Sequence, residues 1–272
     1  MKSSYFALSS AMLACSLIAS LQADDHAVDE RLAAIAEGDH RPAEWVERNA
    51  ARNPAETLTF FGLEPGMTVV ELSPSGGWYT SVIAPFVKDE GQYVAGHWDM
   101  EQEDLPDYAV RGFAAFTERF GDEAIYGDIE IVPFNPPAKA RLGDAGSADM
   151  VLSFRNVHGW TRDDLLDDML EAAHEVLKRD GVLGIVGHRL PEDREGEGTA
   201  GYLKQSFIVG MAESHGFRLI EASEINANPA DTADHPSGVW SLPPSLRDGD
   251  ETADQYRAIG ESDRFTLKFA KR

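Results

Sequence analysis

Residues 67–80 read Met67-Thr68-Val69-Val70-Glu71-Leu72-Ser73-Pro74-Ser75-Gly76-Gly77-Trp78-Tyr79-Thr80. A β-branched run, entered through Glu64-Pro65-Gly66, stops at a Gly/Ser/Pro loop, and a helical pattern then runs to Phe86. A turn from a buried strand into a helix lets a ligand approach the backbone and leaves amides free at the helix start. The same letters also suit an ordinary β-to-α turn, with Trp78 and Tyr79 as the first core residues of the helix.

Outward from this stretch, β-rich runs alternate with amphipathic ones. Strands are predicted over 67–72, 92–97, 129–133, 150–154, 182–187, 218–223 and 264–270. Helices are predicted over 79–86, 108–120, 163–177 and 202–215, the third stopped by Arg179-Asp180-Gly181. An N-terminal helical extension occupies 24–62, and a long Asn/Pro/Asp-rich loop or lid spans 224–263 before the last strand. Seven strands in this order indicate a doubly wound α/β sheet, in which ligands bind beyond the carboxyl ends of the strands.

The residues at those ends are therefore the candidates. Asp99, past the second strand, has the spacing of an acidic residue that binds ribose hydroxyls, or is a loop carboxylate. Arg155, Asn156 and His158 follow the fourth strand, and His188 and Arg189 end the fifth. A neutral imidazole serves as a base near pH 7, and a guanidinium fork holds a carboxylate or phosphate. Loop capping and pairing with the abundant carboxylates are the plainer roles. Residues 226–240, with His235 and Trp240, are too long and irregular for a simple connector. No metal-ligand spacing is present, so no metal is expected.

The charge narrows the partners. The chain of 272 residues carries a net charge of −23, which argues against DNA, RNA and anionic lipid surfaces as partners. Residues 1–23 have a charged start, an apolar middle and a small-residue exit, as in a secretory signal peptide. The apolar run is too short to span a bilayer. Export to the periplasm or medium is expected, with lipoprotein anchoring at Cys15 the lesser alternative. Cleavage after Ala23 removes that cysteine and leaves none.

Three stretches together, VVELSPSGGWYT, SADMVLSFRNVHGW and LKRDGVLGIVGHR, resemble the successive motifs of class I S-adenosylmethionine (SAM)-dependent methyltransferases. With SEINANP and HPSGVWSLPP, they are most similar to an exported bacterial group of predicted methyltransferases. The resemblance runs from about Arg41 to Arg272. It implies a Rossmann-like sheet, mostly parallel, with its last strand antiparallel. It also implies SAM as cofactor, with Glu71, Ser73, Ser75, Gly76 and Gly77 at the methionine moiety. Asp99, or His97 on a strict alignment, would meet the ribose, and Asn135 would lie near the adenine. Arg155, Asn156, His235 and Trp240 would line the substrate side, His158 would act as base, and His188 and Arg189 would orient a small-molecule or envelope acceptor. The chain has Ser73 and Ser75 at the first two positions of the usual G-x-G-x-G loop and keeps Gly77. Two alternatives stay open: a non-catalytic exported ligand-binding module, and a cofactor-independent histidine/carboxylate enzyme.

Overall fold

The computed structural model describes residues 27–194 and 200–272. The predicted signal segment, residues 1–23, and Cys15 within it lie outside the described residues. Four short helices come first: α1 (Glu30–Ala36), α2 (Ala43–Val46), α3 (Asn49–Arg52) and α4 (Pro54–Phe61). Asp29 caps α1, its carboxylate accepting from the amides of Arg31 and Leu32. Then follow β1 (Thr68–Leu72), α5 (Thr80–Val87), β2 (Gln92–His97), α6 (Asp107–Arg119), α7 (Glu123–Tyr126) and β3 (Glu130–Pro133). The second half holds β4 (Ala148–Phe154), α8 (Val157–Arg162), α9 (Leu166–Val176), β5 (Leu177–Leu190), β6 (Leu203–Lys204), α10 (Gln205–Ser214) and β7 (Phe217–Ser223). A 3-10 turn (Gly238–Ser241), α11 (Asp250–Ile259) and β8 (Arg264–Lys271) complete the chain.

The sheet order is β3-β2-β1-β4-β5-β8-β7, with the two-residue β6 attached to β5. Every pairing is parallel except those of β8, which runs antiparallel to both β5 and β7. Order reverses between β1 and β4, so the crevice beyond their carboxyl ends is where a ligand belongs. The strand period of two sorts the core into halves. Val70, Leu72, Val151, Leu183 and Ile185 pack with α8, α9 and α10. Val69, Met150, Leu152 and Val186 pack with α1, α4 and α5 on the other face. The result is three layers, helix on sheet on helix.

Three sequence expectations are corrected. The helix predicted over 163–177 is present as α9, Leu166–Val176, but a separate helix that the sequence reading does not include, α8, precedes it at Val157–Arg162. Arg179-Asp180-Gly181 is no stop: β5 already starts at Leu177, which pairs with Ala148 before a bulge resets the register at Met150 and Val182. Pairing against β4 there overrides local turn chemistry. The third is α11 inside the predicted lid; it buries only Ala253 and Tyr256, so its sequence carries little apolar signal.

Candidate functional site

The turn leaving β1 has left-handed backbone at alternate residues: φ is 51° at Ser73, 55° at Ser75 and 82° at Gly77. A side chain at such a position costs roughly 1–2 kcal/mol, so the two serines hold a conformation that glycine adopts freely. The Ser73 amide donates to Gly96 O at 2.9 Å and the Gly77 amide to Pro74 O at 2.9 Å. The amides of Ser75 and Gly76 have no partner among the described residues, and Ser75 is exposed. A Cβ on Gly76 would meet nothing within 4 Å. The turn thus presents two free donors to an open space, the arrangement that receives an anion or polar tail.

On the β2 side the turn is closed. His97 Nε2–H donates to Ser75 O at 3.0 Å, while its Nδ1 accepts from the Trp98 amide at 2.9 Å. Both nitrogens are used, Phe113 and Phe116 stand edge-on to the ring, and burial lowers the pKa to about 4. His97 is neutral. Asp99 pairs with Lys139 Nζ at 2.9 Å, which holds its carboxyl below the usual range. Lys139 is brought there by its backbone bridge to Asn135. Asp99 and Asn135, expected at the ribose and adenine, therefore engage Lys139 and do not line the cavity described next.

That cavity, of about 270 Å³, opens on the β4 side of the turn. Its wall at the turn is Glu71, Ser73 and Ser75, and its floor is Tyr79 stacked on Phe154 with ring centroids 3.5 Å apart. Glu71 Oε2 accepts from Tyr93 OH at 2.6 Å and Thr80 Oγ1 at 2.9 Å. Burial nevertheless pushes its pKa up to about 7. A raised folded-state value means that stability is fully present below about pH 4.5 and is lost as pH rises through 7. Glu71→Gln is expected to flatten that slope, which urea titrations at pH 5 and pH 8 would read. The part removed is at most about 3 kcal/mol.

Beyond β4, Asn156 lines the cavity, and its Nδ2 donates to Leu72 O at 2.8 Å, which ties the β1 turn to α8. His158 stands edge-on to His188 at 5.3 Å and to Trp240 at 5.9 Å, and its buried Nδ1 has no partner among the described residues. Burial, then the Arg155 charge, lowers its pKa to about 4. His188 Nδ1 lies 2.5 Å from Ser262 Oγ, and burial beside His158 holds it well below the usual histidine value. Both imidazoles are neutral at pH 7.

Arg155 lines the cavity with φ of 63°, its amide fixed to Val186 O at 2.7 Å. Behind it, Glu261 receives Arg48 Nε at 2.7 Å, Arg52 Nε at 3.0 Å and Arg264 Nη2 at 2.8 Å. Arg52 and Arg264 are almost completely buried.

Two expected site residues serve elsewhere. Arg189 forks onto Asp263 at 2.8 and 2.9 Å and reaches Glu224, outside the cavity. His235 Nε2 donates to Asp231 Oδ1 at 2.8 Å. Asp231 also accepts from Tyr202 OH and the Asp263 amide, so it ties residues 231–235 to the residues just before β6 and β8. Asn226 bonds Thr57 and Thr266, and Asn228 bonds the backbone of Ile259 and Glu261, completing that fastening. Trp240, Pro243 and Pro244 do reach the cavity.

Sequence reasoning missed Arg52, Glu261 and Ser262. A signal existed for the last two. Because β8 is antiparallel, the residues just before it lie at the edge where the parallel strands end. Among the described residues no group of three His, Cys, Asp or Glu is placed to hold a metal. None of their helices is long and apolar enough to cross a membrane.

No family model matches the chain, and no curated protein matches it by sequence. Among solved structures it is similar to a SAM-dependent methyltransferase from Aquifex aeolicus, with TM-score 0.55 and 15% identity over 83% of this chain and 93% of that one. It is similar to the (4+2)-cyclase SpnF, with TM-score 0.56 and 13% identity over 86% of this chain and 84% of that one. A third is the Burkholderia thailandensis 1,6-didemethyltoxoflavin-N1-methyltransferase, whose structure contains S-adenosylhomocysteine, with TM-score 0.50 and 13% identity over 84% and 81%. At these identities the likeness establishes the fold, that of the SAM-dependent methyltransferases. The cyclase shows that this fold also carries other chemistry.

Proposed function

We propose that the protein binds SAM at the turn leaving β1 and methylates a small molecule held in the adjoining cavity. The observation that carries this reading is the turn itself: left-handed φ at residues 73, 75 and 77, with two unpaired amides at the cavity's edge. Backbone held in a costly conformation points to a use for it. The amides of Ser75 and Gly76 and the carboxyl of Glu71 would hold the methionine moiety. When bound there, SAM supplies an electrophilic methyl group. The Tyr79–Phe154 floor and Trp240 fix the plane of the acceptor, which is the alignment that direct displacement needs. His158 Nδ1, unpartnered and neutral, takes the proton that the acceptor loses. The leader read at residues 1–23 assigns this activity to a compartment outside the cytoplasm.

The imidazole also sets the pH response. Because its pKa is lowered to about 4, the acid limb of the rate profile is expected near pH 4 rather than near 6.5. Arg155→Met should raise that limb while leaving it below 6.5, since burial is the larger cause. Initial rates from pH 3.5 to 8 would check this.

A second reading rests on the closed β2 side. With His97 on the Ser75 carbonyl and Asp99 on Lys139, the cavity does not reach the ribose position, which favours a binding module without cofactor. Calorimetric titration of the full chain with S-adenosylhomocysteine separates the two. Methyl transfer requires one saturable site; no heat at millimolar ligand leaves the binding module.

A further inference from the structure

A protein with net charge −23 has built the back of its cavity from arginines. Arg48, Arg52 and Arg264 all converge on the single carboxylate of Glu261. Arg155, the fourth cation and the one that faces the cavity, has no side-chain hydrogen bond or ion pair among the described residues. Four guanidinium groups thus surround one carboxylate, which three of them bond. Glu71, the other carboxyl on the wall, is engaged by Tyr93 and Thr80 and is half-protonated near pH 7. Among the described residues, buried Nη2 of Arg48, Nη1 and Nη2 of Arg52 and Nε of Arg155 all lack acceptors. Buried donors are normally satisfied, and a buried cation without a counter-charge is strongly unfavourable. Arg155 is moreover held at φ 63°, a conformation imposed on it rather than chosen by it.

We infer that the cavity takes a ligand bearing a compact anion, a carboxylate or a phosphate, seated on Arg155 with its body between the Tyr79–Phe154 floor and Trp240. Calling that ligand the methyl acceptor rests on the function proposed above; the anion site itself does not. The anion gives the Arg155 guanidinium an acceptor and the cluster a second negative charge, and a guanidinium fork matches either group in two-point geometry. The aromatic floor and the small volume select a planar, metabolite-sized body. The three arginines behind Arg155 hold the site positive against the acidic surface, so binding weakens as salt is added.

The test titrates the full chain calorimetrically with benzoate, phenyl phosphate and the neutral benzamide. One or both anions should bind roughly tenfold or more tightly than benzamide, and their order tells carboxylate from phosphate. Arg155→Met should abolish the preference and Arg155→Lys should keep part of it. Because Arg155 makes no side-chain hydrogen bond or ion pair among the described residues, Arg155→Met is expected to melt at or above the wild-type temperature. If it does not fold, the wild-type comparison decides alone. Equal binding of all three probes, no binding of any, or an anion preference that survives in Arg155→Met overturns the inference. S-adenosylhomocysteine, titrated in parallel, separates the two proposals. Its binding without an anion preference sinks only the anion site, whereas an anion preference without it sinks only methyl transfer.

Discussion

Glu261→Gln is expected to destabilise the folded chain by roughly 3–5 kcal/mol, measured as the free energy of urea unfolding at pH 7. Three buried or half-buried guanidinium groups share that carboxylate, and among the described residues none has a second ionised partner. Glutamine keeps one acceptor oxygen and the shape but removes the charge that makes burial of the arginines tolerable. The wild type should show the same loss in acid. Burial opposes ionisation of Glu261, yet Arg52, Arg264, Arg48 and Arg155 overcome it and lower the pKa to about 2. A depressed folded-state value means that this stability is present above about pH 4.5 and disappears as pH falls towards 2. Glu261→Gln should therefore lose most of the acid sensitivity of the wild type between those values. A variant as stable as wild type at pH 7 would contradict the assignment of Glu261 as the anchor of the cluster.

Gly77→Ala should be nearly as damaging, by about 3 kcal/mol, while Gly76→Ala should change stability by less than about 0.5 kcal/mol. The two neighbours differ in what surrounds them. A Cβ at Gly77 would come within 2.1 Å of Phe120 Cε2, and φ there is +82°. At Gly76 the same atom meets nothing within 4 Å. The turn is thus anchored against α6 through Gly77 and open to solvent at Gly76. Thermal unfolding of the two single variants measures the contrast directly. Equal effects would mean that the turn does not rest on α6 as described.

The sheet was readable because its signals are local. The parallel strands are apolar runs, β-branched at Thr68-Val69-Val70 and Ile131-Val132, and α9 between two of them carries a clear apolar stripe. What failed locally was decided by distant partners. Leu177 becomes strand because Ala148 lies opposite it, and Arg189 leaves the cavity because Asp263, far along the chain, offers it a fork. The β1 turn was legible as a ligand turn from its glycines, whereas the left-handed serines were not, since nothing in the letters forces φ positive at Ser73 or Ser75. Spacing alone points to Asp99; its capture by Lys139 depends on the Asn135–Lys139 bridge, which no periodicity announces. The arginine cluster draws on α3, β4 and β8, and only the folded topology brings those pieces together.

If the β1 turn receives the cofactor, filling the open space over its free amides should block binding without disturbing the fold. The measurement is the affinity of S-adenosylhomocysteine for Gly76→Leu relative to wild type, with the melting temperature of each. An unchanged melting temperature and a loss of affinity of roughly a hundredfold are predicted, since a leucine side chain would occupy the ligand's place. Equal affinity in the two proteins would contradict a cofactor seated on this turn.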